Sequence, residues 1–179
     1  IMADQFIPSF KYYADAGDHV YLYDYRRYGR SEGRRRLKAI VSDYQEIVQQ
    51  LANEPYRQRL VYAMAFGGIV LMEGWLENSA FNRIVVDSSP SRLSGYGCPP
   101  AYDPVSHLPA DCSRFMFITG MKDTVVTPAM SDEMSTVAGE RGANILRDDA
   151  FAHPFMDRDP SAHRRRFHSI KHFLLQQAH

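Results

Sequence analysis

This 179-residue chain has no long apolar run, no excess of one charge and little cysteine. No apolar stretch approaches the roughly 20 residues that a bilayer-spanning helix needs. Lys plus Arg and Asp plus Glu are both 21, so the formal net charge is zero and no global field recruits nucleic acid or a membrane surface. The two cysteines, Cys98 and Cys112, lie 14 positions apart in one Pro-rich stretch. A bridge there would add about 3 kcal/mol in the chain-entropy model and fit a periplasmic or secreted protein; two free thiols fit a cytoplasmic one. No group of Cys, His and carboxylates has metal-ligand spacing, so neither a metal nor an organic cofactor is implied. Internal repeats and linkers are also absent, and the length suits one domain spanning 1–179.

What is present is an alternation of two periods. Asp4 to Ala16 has helical spacing, carried by Phe6, Ile7, Phe10 and Tyr13 and closed by Gly17. His19 to Asp24 reads as a strand, 28–33 as a polar turn, and Leu37 to Glu54 as an amphipathic helix. Leu60 to Met64 is an apolar strand, followed by a helix from Gly67 to Glu77 and a strand from Phe81 to Asp87. Residues 91–112 form a Gly/Pro-rich excursion without a clear period. A strand at 115–119, a helix at 129–140, a short strand at 143–146 and a helix at 164–177 complete the chain. Strands apolar along their whole length, alternating with helices, predict a mostly parallel sheet covered on both faces. Trp75 reads as core, Asp148 and Asp149 as solvated loop carboxylates, and the arginine runs at 34–36 and 164–166 as solvated helix ends rather than sites for an acidic head group.

Four segments carry chemistry. Tyr23-Asp-Tyr-Arg-Arg-Tyr-Gly-Arg-Ser-Glu-Gly33 is similar to a D-x-R-G-x-G-x-S turn, and Ala63-Met-Ala-Phe-Gly-Gly68 to a G-x-S-x-G nucleophile elbow. Gly120-Met-Lys-Asp123, running on to Pro128, is similar to a segment that delivers an acid after a strand. Phe151-Ala-His153-Pro-Phe155 is similar to a histidine loop after the last strand. In this order the four resemble the α/β-hydrolase superfamily, in its serine esterase and acyl hydrolase branch. The resemblance implies that fold, a nucleophile at position 65, His153 as base, Asp123 as the acid that orients it, and the N–H of Phe66 as one oxyanion donor. The chemistry needs those types: a hydroxyl is a poor nucleophile until a base takes its proton, an imidazole does so near neutral pH, and the acid fixes its tautomer. The implied reaction is cleavage of a small carboxylic ester or thioester through an acyl-enzyme. The short excursion at 91–112, where the family inserts a lid, suits an open site.

The chain departs from the pattern in three places. Residue 65 is alanine, so the nucleophile is missing; the retained Asp123 and His153 favour an engineered or recent loss over the alternative, a natural pseudoenzyme that binds a ligand or partner. Arg27 stands where the family turn has glycine. The family's third strand, between its fourth and fifth, has no counterpart before the first helix, so an upstream N-terminal segment is expected to complete the sheet.

Overall fold

The computed structural model describes residues 2–75 and 81–176. A short 3-10 turn leads into helix α1 (Ile7–Asp15), an extended stretch follows, and helix α2 runs over Leu37–Ala52. Strand β1 (Leu60–Met64) turns directly into helix α3 (Phe66–Glu73), and strand β2 (Arg83–Asp87) follows. After three 3-10 turns come strand β3 (Phe115–Gly120), helix α4 (Pro128–Glu140), strand β4 (Asn144–Asp148) and helix α5 (Pro160–Leu174). The four strands form one all-parallel sheet in the order β1-β2-β3-β4.

Parallel pairing explains the apolar strands. Successive side chains point to opposite faces, and both faces are covered. Ile84, Val86, Phe115 and Phe117 point into a core shared with Leu71 of α3 and Met134 and Ala138 of α4. Their neighbours Val85, Met116 and Ile118 point the other way, against Ala162, Ile170 and Phe173 of α5. Trp75 packs at the edge of the first core, its ring 5.2 Å from that of Phe115. Helix α2 packs against α3 and buries Ile40 to 3% exposure.

Several predicted elements shift. The expected strand at 19–24 forms no ladder: the segment has no strand assignment, and Val20, Tyr21, Leu22 and Tyr23 are exposed. Its residues suit a strand, but a strand exists only through a neighbour's backbone, and among the described residues none lies beside it. The helix predicted from Gly67 ends at Glu73, and part of that prediction (76–77) lies outside the described residues. The last helix begins four residues earlier than its apolar period, because Asp159 caps it, accepting from the Ser161 N–H at 2.8 Å, with Pro160 at its first position. The excursion at 91–112 is held from within. The buried Asp103 carboxylate accepts from the N–H groups of Leu93 and Ser94 at 2.7 and 2.8 Å and pairs with Arg92 at 3.1 Å. Both thiols are free; Cys98 is exposed and Cys112 buried.

Candidate active site

Position 65 is the single residue between strand β1 and helix α3. Strand β1 stops at Met64 and α3 starts at Phe66, so Ala65 alone reverses the backbone, at φ 49° and ψ −116°. This positive-φ region is costly for any residue with a Cβ. Three hydrogen bonds hold it. The Ala65 N–H donates to the Asp87 carbonyl at 2.9 Å, and the Ala65 carbonyl accepts from the Gly68 N–H at 3.1 Å and from Ser89 Oγ at 2.8 Å. Gly68 is obligatory here: a Cβ would fall 2.0 Å from Ser89 Oγ and 2.6 Å from Ser89 Cβ. The backbone N–H of Phe66, first in α3, has no intrahelical acceptor. Its exposed ring meets Tyr25 edge-on at 5.5 Å. Burial pushes the Tyr25 phenol up to about 12, with a hydrogen bond to Tyr23 opposing, so a neutral hydroxyl lies beside Gly67.

Asp123 and His153 meet directly. His153 Nδ1 lies 2.9 Å from Asp123 Oδ2, with the acid side chain fully buried and the imidazole 15% exposed. The other oxygen, Asp123 Oδ1, accepts from the N–H groups of Val125 and Val126 at 2.8 and 2.9 Å, which fixes the carboxylate plane. A carboxylate acceptor assigns the proton to Nδ1 and leaves the Nε2 lone pair free to take a proton. The two loops are also tied through the backbone: the Lys122 N–H donates to the Phe151 carbonyl at 2.9 Å. They approach so closely at Gly120 that a Cβ there would fall 2.5 Å from the Phe151 oxygen. Because the strands are parallel, Ala65 after β1, Asp123 after β3 and His153 after β4 all follow carboxyl ends on one edge of the sheet. Arg27, standing where the similar turn has glycine, adopts φ 61°, the left-handed conformation that glycine would supply.

Beneath the histidine loop lies a polar cluster whose arginine is masked in the sequence by the charged run around it. Against the expectation of a solvated helix end, Arg166 is fully buried, whereas Arg34, Arg35 and Arg36 are exposed. Its Nη1 donates to Asp87 Oδ1 at 2.8 Å, and its Nη2 donates to the Ala152 carbonyl. The Asp157 side chain, also buried, accepts from the Ala152 N–H at 2.7 Å. Tyr62 donates to Asp87 Oδ2 at 2.9 Å. Burial pushes the Asp87 carboxyl up, with Arg166 chief among the groups that oppose the shift. The signal that could have found Arg166 was its place on the helical face of Ala162, Ile170 and Phe173. Asp148 also differs from expectation: it accepts from the Ala150 N–H at 2.7 Å and pairs with Arg165, so it builds a turn rather than standing in solvent. Among the described residues no three His, Cys, Asp or Glu side chains are placed to hold a metal ion, and no helix is long and apolar enough to cross a membrane.

Comparison with known proteins agrees with this fold. A hydrolase family model, described as serine aminopeptidase, S33, matches residues 3–106, and the chain belongs to this family within the α/β-hydrolase superfamily. Among solved structures, a monoacylglycerol lipase from Paleococcus ferrophilus is similar, with TM-score 0.69 and 12% identity over 97% of this chain and 90% of the other. An esterase from Pyrococcus furiosus gives TM-score 0.69 and 18% identity, covering 93% of this chain and 73% of its own. The propionate-bound esterase Est2 from Thermogutta terrifontis gives TM-score 0.69 and 18% identity, covering 98% and 80%. At these identities the likeness establishes the fold. A search of curated proteins returns no match.

Proposed function

We propose that this chain has the framework of a serine hydrolase acting on carboxylic esters or thioesters, disarmed at position 65. The observation that carries the proposal is the positive-φ turn at Ala65, on the same sheet edge as the hydrogen-bonded Asp123–His153 pair. That turn is strained, and alanine gains nothing from it; a nucleophile would gain projection from the sheet edge. The family description names a peptidase, but the similar structures are named a lipase and esterases, which supports the ester.

With serine at 65, His153 Nε2 takes the hydroxyl proton as Oγ attacks the acyl carbonyl. The charge on the carbonyl oxygen is met by the Phe66 N–H. Collapse expels the alcohol or thiol, which leaves with the proton from His153. Water then attacks the acyl-serine, giving its proton to His153, and the acid departs as serine is regenerated. Asp123 stays ionised and holds the imidazolium that forms in each half-reaction.

The test is Ala65→Ser, assayed with short- and medium-chain p-nitrophenyl esters and a thioester. Turnover is expected, and it should disappear again in Ala65→Ser/His153→Ala. A well-folded Ala65→Ser protein without turnover would overturn the hydrolase reading in favour of a binding module on the same fold.

A further inference from the structure

We propose that Arg166 is a positioning residue that sets the His153 loop against the turn at position 65, an inference that rests on reading His153 as the base. Both halves of the site share a reference point in Asp87. Its backbone carbonyl accepts the Ala65 N–H at 2.9 Å, and its carboxylate holds Arg166 Nη1 at 2.8 Å. The other arm of the same guanidinium donates to the carbonyl of Ala152, the residue immediately before His153. Asp157 closes the grip by accepting the Ala152 N–H at 2.7 Å, so both polar groups of that residue are fixed. Phe151 is sandwiched into the same arrangement, its ring centroid 4.6 Å from the Arg166 guanidinium carbon.

The chemistry of the side chain matters as much as its charge. A guanidinium is a rigid fork that donates in two directions; an ammonium is a single point. Arg166 uses the fork to span from the β2 end to the histidine loop, reaching Asp87 across 79 residues of sequence. All three ionic side chains are fully buried. Taking three charges out of water costs several kcal/mol per ion, and a well-packed apolar trio would serve stability as well. The Arg166 Nε and Asp157 Oδ2 atoms, 3.4 Å apart, also lack hydrogen bonds. What the ionic trio supplies and an apolar one could not is a fixed direction for the Ala152 peptide, and through it for the imidazole.

The experiment uses the protein with Ala65 in place and reads the imidazole directly. The probe is the Nδ1-bound proton of His153 in nitrogen-edited NMR, assigned by its loss in His153→Ala. The variant Arg166→Met/Asp87→Asn/Asp157→Asn removes all three buried charges together, so the guanidinium link is lost without stranding a buried ion. The expected result is a native amide spectrum in which the His153 Nδ1 proton broadens into exchange with water and the single tautomer is lost. In the Ala65→Ser background the same variant should lower kcat about a hundredfold with KM within about twofold, since misplacement by about 1 Å costs that much. A folded variant with an unchanged His153 resonance overturns the proposal. If the triple variant does not fold, Arg166→Lys decides on the same readout: it keeps the Asp87 pair but cannot also reach Ala152, so an unchanged resonance again overturns it. The NMR arm needs no turnover, so an inactive Ala65→Ser protein would defeat the hydrolase reading without deciding this one.

Discussion

Replacing Ala65 with glycine should stabilise this protein, against the usual direction of that substitution. At φ 49° and ψ −116° the Ala65 backbone lies outside even the small left-handed basin open to ordinary residues. A residue held in such a region costs about 1–3 kcal/mol, and glycine relieves that cost. Against this, the greater freedom of glycine in the unfolded chain returns about 0.5–1 kcal/mol. The balance is a gain of about 1.25 kcal/mol, or a rise of about 2.5–5 °C in melting temperature for a domain of this size. The hydrogen bonds of the turn all run through backbone atoms of residue 65 and survive the change. Scanning calorimetry of Ala65→Gly beside the parent measures it. Ala138→Gly, at a fully buried position in α4, is the control and should lose at least about 1 kcal/mol. If Ala65→Gly melts at or below the parent while the control falls as expected, the turn stores no strain and the case for a nucleophile elbow loses its main support.

Two further outcomes follow from particular contacts. Gly68→Ala should destabilise by about 2–4 kcal/mol in urea unfolding, because the new methyl overpacks against Ser89 and breaks its bond to the Ala65 carbonyl; an effect under about 0.5 kcal/mol would mean that the turn adapts freely. Burial pulls the Asp103 carboxyl upward, but donors from Ser94, Leu93 and Arg92 outweigh it and hold the group below the ordinary carboxylate range. A depressed folded pKa contributes stability that is complete above the unfolded value of about 3.9 and is lost as pH falls through the folded value. The stability difference between parent and Asp103→Asn should therefore be largest near neutral pH and shrink towards pH 2; a difference independent of pH would refute the ionised anchor.

The strands show why some elements were legible and others were not. The middle of β2 (84–86) and the first four residues of β3 (115–118) are apolar at every position because both faces of a parallel sheet are covered, and those runs are visible without coordinates. The 19–24 segment has equally good strand residues, but pairing is a property of two segments, and composition describes only one. The same division runs through the site. Asp123 and His153 are singled out because their segments resemble an acid turn and a histidine loop that each follow a strand, and the structure sets the two side chains 2.9 Å apart. Arg166 was misread because its charge, in a run of three arginines, outweighed its helical phase.

The sequence by itself determined the alternation of strand and helix, the order of acid and histidine, and the small residues that a tight turn at position 65 demands. These are local: spacing, size and backbone preference act within a few residues. Only the tertiary structure decided which strand edge finds a partner, which arginine leaves water, and that Asp87 serves both the turn and the histidine loop. Burial and ion pairing depend on groups tens of residues apart, and the dielectric that gives Arg166 its hold exists only once the sheet and α5 have closed over it.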